Sequence, residues 1–241
     1  MSPWLFARYI RDMLKEVVSS GIGCNIGGLV INILAYADDM VILAPSWQGL
    51  QCLLDILAAQ TVLICMKVNV NKTVCMVFMP KNRKRVIASS FPLFHFGSDC
   101  LQFVHKFKYL GHWIVETNND NADIQREISN MFIRSNTLLR KFAKCTISVK
   151  TLLFSSFCIC LYDASLWSHF NIGILNRLRA CYIKCIKTFF GYKRHDSTTG
   201  MLCTLGLPSF DTLLINASTI FQRQWSLCNN SLVRQLFTLH I

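Results

Sequence analysis

The sequence predicts an α+β fold, with strands and helices mixed over residues 1–117 and helices alone over residues 118–241. Three observations carry this expectation. Short β-branched runs separated by glycine or aspartate pairs, the mark of hairpins, cluster before residue 117. Beyond residue 123 the apolar residues recur every three or four positions, with no strand alternation. Between the two halves, Asn118-Asn119-Asp120-Asn121 is polar without any apolar period, which predicts a linker and a domain boundary.

Each element follows from its residues. Pro3–Val18 reads as a helix, with Ser2 as N-cap and Pro3 in the first turn, where a missing N–H costs nothing. Its apolar face is Leu5, Phe6, Tyr9, Ile10, Met13 and Leu14. Ile22–Ile26 and Leu29–Ala35 read as strands joined by a Gly27-Gly28 turn. The chain turns again at Asp38-Asp39 and returns along Met40–Leu43. Trp47–Met66 reads as an amphipathic helix, and Lys67–Val70 and Thr73–Met79 as strands interrupted by Asn71-Lys72. Lys81–Arg85 is a basic loop, too short for a nuclear signal, and Val86–Val104 is irregular β. Phe107–Val115 carries a strand turn at Leu110-Gly111. Asp123–Ala143, Val149–Phe170, Leu175–Phe190 and Thr212–Cys228 read as helices.

Composition narrows the class. Of 241 residues, 52% are hydrophobic and 16% charged, which excludes a disordered tail. The mean hydropathy of +0.36 raises the question of a membrane span. None is expected: Asp38 and Asp39 split the stretch from Leu29 to Ala44, and Asp55 and Gln60 interrupt Leu53–Met66. Leu152–Leu161 is about half the roughly 20 residues a spanning helix needs. The beginning has no basic region or cleavage site, so no secretory signal is expected and the location is read as intracellular, nucleus or cytoplasm open. Twelve cysteines lie singly in apolar stretches, among them Cys52, Cys65, Cys75, Cys158, Cys160, Cys181 and Cys185. That is how free thiols serve as small core residues in a reducing compartment. Cys181 and Cys185 stand at helical spacing with no second ligand pair, so no zinc site is expected there.

The net charge of +12 is uneven. Residues 1–120 hold eleven Lys/Arg against eight Asp/Glu, a net of +3; residues 121–241 hold fourteen against five, a net of +9. A basic helical half points towards a polyanion, nucleic acid first. Arg126, Arg134, Arg140, Lys141, Lys144 and Lys150 are the candidates for a phosphate-tracking stripe, set against a plain solvated face. His95, His105 and His112 have no partner at ligand spacing and read as ordinary, partly buried histidines. Asp12 and Asp55 are expected to face solvent from their helices.

Asp38-Asp39 is the unusual feature. Two like charges side by side between apolar strands repel unless solvent or a cation relieves them. The pair has two readings: an exposed turn that uses aspartate as a turn former, or a Mg²⁺ site of hard oxygen donors held by a sheet.

Tyr36-Ala37-Asp38-Asp39 between apolar strands resembles the metal-binding hairpin of reverse transcriptases, nearest to those of LINE-type, non-long-terminal-repeat retrotransposons. Order and spacing support it. Ser2-Pro3-Trp4-Leu5-Phe6 upstream is similar to the tail of the family's Gln-Gly…Ser-Pro-x-Leu-Phe motif. Met66-Lys67-Val68-Asn69-Val70-Asn71-Lys72-Thr73 resembles the segment after the palm helix. Phe107-Lys108-Tyr109-Leu110-Gly111 resembles the primer-grip hairpin, and Gly206-Leu207-Pro208-Ser209 the region past the thumb. The resemblance implies a partial polymerase palm, an antiparallel sheet with helices, over residues 1–117, then an all-α thumb and connection.

It also implies roles. Asp38 and Asp39 would be metal ligands for Mg²⁺, with Mn²⁺ as substitute, and Lys72 a cation near the triphosphate or an ordinary exposed turn lysine. Phe6 would border the nucleotide sugar or simply belong to the core, and Tyr36 would pack beside the hairpin. Tyr109, Leu110 and Gly111 would set the primer end or form a packed β-turn. Arg140, Lys141 and Lys144 would touch nucleic acid. The implied partners are an RNA template, a DNA primer and deoxynucleoside triphosphates, with no membrane.

The family's third catalytic carboxylate stands on a strand before the Ser-Pro motif, where this sequence begins. The expectation is therefore a fragment with weak metal binding and no polymerase activity of its own. Its exposed sheet face would need the remaining polymerase segments, or another protein, as cover. A non-catalytic nucleic-acid-binding remnant and the product of a decayed element without function are the competing readings.

Overall fold

A computed structural model describes residues 3–79 and 91–239. Ser2, the expected N-cap, and the basic loop Lys81–Arg85 lie outside the described residues. The fold is α+β and divides into two compact units. Residues 1–105 with 231–241 form the first, and residues 106–230 the second.

The first unit opens with α1 (Pro3–Ser19). Ile10, Met13 and Val17, spaced three and four apart, are its buried residues. β1 (Cys24–Ile26) and β2 (Leu29–Ile31) pair antiparallel around Gly27-Gly28. Both glycines have positive φ, 59° and 87°, the combination a type I′ turn requires. The predicted strand Leu29–Ala35 breaks at Asn32. That side chain is buried and donates from Nδ2 to Val17 O at 2.7 Å, tying the break to α1. β3 (Ile33–Tyr36) and β4 (Asp39–Ile42) then form the next hairpin.

Ser46 caps α2 (Trp47–Leu63), its Oγ accepting from Gly49 N. Leu53, Leu54 and Leu57 pack α2 against the buried face of α1. Lys67–Val70 forms no strand, contrary to the sequence reading. A 3-10 turn covers Val70–Lys72, and the Thr73 amide and hydroxyl both donate to Asn69 O, at 3.1 and 3.0 Å. Asparagines at 69 and 71 favour turns over ladders, which the apolar alternation concealed.

β5 (Val74–Cys75), β6 (His95–Phe96), β7 (Asp99–Cys100) and β8 (Gln102–Phe103) complete the strands of this unit. β5 pairs with β8 in parallel, and β6 with β7 antiparallel. The described strands of this unit make separate two-stranded ladders, antiparallel except for β5 with β8.

Gly23 is needed where β1 begins. A Cβ there would stand 2.7 Å from the backbone oxygen of Ile31 and 2.9 Å from the Asn32 Cβ. Gly23→Ala is expected to cost about 1–3 kcal/mol by overpacking, read as a lower urea midpoint at unchanged slope.

The second unit begins with the hairpin β9 (Lys106–Tyr109) and β10 (His112–Val115). Leu110 and Gly111 form its two-residue turn, with φ of 48° and 98°. The predicted linker is no free tether: Asp120 donates from its amide to His169 O, and its carboxylate accepts from the amides of Ser168 and His169.

α3 (Asn121–Phe142) follows, then α4 (Ile147–Phe157). The single helix expected over Val149–Phe170 stops at Cys158, and a 3-10 turn takes Tyr162–Leu166. Ending there lets Asp163 and Trp167 reach groups on α3. α5 (Ile172–Phe190) is capped by Asn171 and closed by Gly191 at φ 81°. α6 (Thr198–Leu205) and α7 (Phe210–Ser226) are capped by Ser197 and Ser209. Phe154, Tyr182 and Phe189 lie at the centre of the core, joined by Ile124, Met131 and Leu178. α8 (Ser231–Thr238) returns to the first unit, where Gln235 Nε2 donates to Gly27 O at 3.0 Å.

Among the described residues no helix is long and apolar enough to cross a membrane. Cys75, Cys158, Cys181 and Cys185 are buried as expected, whereas Cys52, Cys65 and Cys160 are exposed. Burial pushes the Cys75 thiol up to about 11 and Cys158 to about 12, so both are protonated and inert at neutral pH.

Candidate functional site

Two clusters of polar groups stand out, one in each unit. In the first unit, the register Tyr36↔Asp39 leaves Ala37 and Asp38 as the hairpin loop. Ala37 takes φ 52°, the positive value a tight primed turn demands at this position and a non-glycine residue rarely adopts. The turn places Asp38 and Asp39 side by side at the tip, both exposed, neither carboxylate in an ion pair or hydrogen bond among the described residues. Tyr36, expected to pack beside this hairpin, is 65% exposed and contributes nothing to the core.

Phe6 is half-buried on α1 and packs on the apolar core of the unit. Lys72 is exposed at the end of the 3-10 turn and makes no ion pair with either aspartate among the described residues. Asp12 and Asp55 face solvent from α1 and α2. Tyr109, Leu110 and Gly111 occupy the β9–β10 turn of the second unit, with Leu110 exposed. Arg140, Lys141 and Lys144 are exposed at the C-terminal end of α3.

The other cluster escaped the sequence reading. His112 on β10 carries no sequence mark of a site, yet its imidazole lies among three carboxylates. Nδ1 is 3.2 Å from Asp123 Oδ2 and 4.0 Å from Asp163 Oδ2, and Nε2 is 3.7 Å from Asp120 Oδ1. Asp123 Oδ2 therefore stands within ion-pair reach of Nδ1 when the ring is protonated.

Asp123 is fully buried, and its Oδ1 accepts from Trp113 N at 3.1 Å and Arg126 Nε at 2.8 Å. Trp167 Nε1 donates to Oδ2 at 2.9 Å. Burial alone would raise this carboxyl, but the contacts from His112, Arg126, Trp167 and the Trp113 amide outweigh it and hold it far below the usual range. Asp163 behaves oppositely: burial and then the Asp123 charge push it up, despite Arg126 Nη2 at 2.7 Å.

Arg126 and Arg134 are therefore not part of a free phosphate-tracking stripe. Arg126 is spent on Asp123 and Asp163, and Arg134 pairs with buried Glu127. A signal for this was present. Asp123 and Glu127, four apart, share one helix face with the apolar Ile124 and Ile128, where a solvated face would carry no core residues.

Residues 1–114 match the family described as reverse transcriptase (RNA-dependent DNA polymerase). This part of the chain belongs to the reverse transcriptase family. A curated relative, the Retrovirus-related Pol polyprotein from type-2 retrotransposable element R2DM of Drosophila melanogaster, is 34% identical over 116 residues, or 46% of this chain. The match spans only 11% of that polyprotein, so the chain corresponds to a small part of it. The likeness agrees with the LINE-type character of the motifs.

The reverse transcriptase segment contains Phe6, Tyr36, Asp38, Asp39, Lys72, the turn Tyr109–Gly111 and His112. The carboxylates that surround His112, and the exposed bases of α3, lie beyond it. The family match runs through the β9–β10 hairpin, whereas packing assigns that hairpin to the helical unit. Reverse transcriptases work with divalent metal ions, which take hard oxygen donors.

Proposed function

We propose that this chain is the palm end and thumb of a LINE-type reverse transcriptase, carrying part of a site for RNA-templated DNA synthesis. The supporting observation is the Ala37-Asp38 turn, a strained two-residue loop that presents two unpartnered carboxylates within the family segment. Asp38 and Asp39 would hold Mg²⁺, or Mn²⁺ in its place, which when bound activates the primer hydroxyl and neutralises the phosphates. Lys72 supplies a positive charge for the triphosphate, and Phe6 and Tyr36 border the nucleotide. Tyr109, Leu110 and Gly111 hold the primer end. Residues 1–117 then count as palm and residues 118–241 as thumb and extension, in an intracellular protein whose partners are RNA template, DNA primer and deoxynucleoside triphosphates.

Two adjacent aspartates cannot enclose two ions about 3.5–4 Å apart without a further carboxylate opposite them. The 241-residue chain is therefore expected to bind Mn²⁺ weakly and to leave a primer unextended. Water-proton relaxation enhancement by Mn²⁺ measures the first: it should vanish in Asp38→Ala, and an unchanged enhancement would remove Asp38 as a ligand. Primer extension on a homopolymer template measures the second, and extension abolished by Asp38→Ala would overturn the expected inactivity.

A non-catalytic role in holding nucleic acid is the second reading, favoured by the exposed group Arg140, Lys141 and Lys144. Under it, salt-sensitive binding of RNA–DNA hybrid survives Asp38→Ala and falls in Arg140→Ala or Lys144→Ala.

A further inference from the structure

The carboxylates around His112 look at first like a cradle for a metal ion, since one donor atom each from His112, Asp123 and Asp163 lie within 4.8 Å of one another. The charges argue otherwise. Arg126 already places its Nε and Nη2 at 2.8 and 2.7 Å from Asp123 and Asp163, and Trp167 occupies Asp123 Oδ2. A dication would meet a guanidinium at contact distance and find those oxygens engaged. The cation this pocket takes is one it already contains.

The groups facing His112 come from every element packed on it. Asp120 precedes α3, and Asp123, Arg126 and Glu127 lie on it; Asp163 is on the Tyr162–Leu166 turn. Lys106, on the neighbouring strand, turns its ammonium over the Trp113 ring at 5.2 Å. Among the described residues, the cations paired within this group of four carboxyls, Asp120, Asp123, Asp163 and Glu127, are Arg126 and Arg134. While the imidazole is neutral the carboxyls therefore outnumber the guanidiniums by two, and burial pushes Asp163 and Glu127 up. A proton on His112 narrows that excess, in a half-buried place where water screens poorly.

We propose that His112 is a positioning residue: its protonated imidazole clamps the Lys106–Val115 hairpin to the start of α3 and to the Tyr162–Leu166 turn, fixing the Tyr109–Gly111 turn two residues away. The effect on a primer end rests on the role proposed above for that turn, whereas the clamp itself does not. The only described β-pairing of the hairpin is internal. Among the described residues, the His112 contacts and the bond from Trp113 N to Asp123 tie it to the helical part.

The Asp123 contact raises the His112 pKa above its ordinary value, burial opposes this, and the charges of Asp123, Asp163 and Asp120 reinforce it. A raised folded value has a definite sign. The stabilisation is complete below the unfolded value of about 6.5 and is lost as pH rises through the folded one.

The experiment uses the full chain. The His112 ring is titrated by NMR, and amide exchange over residues 107–114 is followed across the same range after correction for intrinsic base catalysis. A ring midpoint above about 6.5, with hairpin protection falling as pH passes through it, is the expected result. His112→Gln should give weak protection that does not change with pH, and His112→Lys should stay protected where the native hairpin opens. A midpoint at or below the ordinary histidine value, or native protection that stays constant through the midpoint, overturns the clamp. Should His112→Gln fail to fold, the native titration and exchange still decide. A parallel RNA–DNA hybrid footprint separates the two ideas: pH-dependent protection without contact at Tyr109–Gly111 leaves the clamp standing and removes the primer role.

Discussion

Replacing Asp123 with alanine is expected to destabilise the helical unit by about 3–5 kcal/mol, the cost of removing one partner from a buried ionic network. The carboxylate has no solvent exposure and meets four groups: the Trp113 amide, Arg126, Trp167 and His112. Alanine leaves the Trp113 and Trp167 donors buried without acceptors and sets Arg126 against a single remaining aspartate. Urea unfolding should show this as a lower midpoint. Acid should reproduce part of it: the Asp123 pKa is depressed, so its stabilisation is present above the usual carboxylate value of about 3.9 and lost as pH falls below it. Full native stability in Asp123→Ala, with no acid sensitivity removed, would mean that the network holds nothing together.

The second large effect concerns packing. Phe154 is fully buried, with ring centroids 6.1 Å from both Phe189 and Phe190 and 6.3 Å from Tyr182. Truncation to alanine opens a cavity between α4 and α5 that these rings cannot fill by collapse, and about 3–5 kcal/mol should be lost. Leu152, two residues earlier on the same helix, is 68% exposed and serves as the control. Leu152→Ala should shift stability by no more than about 0.5 kcal/mol. Equal losses in the two variants would mean that α4 presents a different face to the core.

The candidate site was legible to different depths. The Asp38-Asp39 hairpin could be read because a turn is a short-range object: residues two apart in register set its type, and the flanking apolar runs fix the strands. The acidic cluster could not be read the same way. His112, Asp123 and Asp163 are far apart in the chain, and a lone histidine among aromatics carries no mark of the carboxylates it will meet. The same limit explains the arginines. Arg126 and Arg140 look alike in sequence, but along α3 the first has Asp163 opposite it and the second is exposed.

The glycine turns and the α+β class came from the sequence alone, since turns at Gly27-Gly28 and Leu110-Gly111 depend on neighbours a few residues away. Only the tertiary structure decided that the Val149–Phe170 stretch breaks after Phe157 and that the ladders stay separate. For the helix break the reason is energetic: buried Asp163 must find Arg126 wherever the chain brings it, and that demand overrides local periodicity.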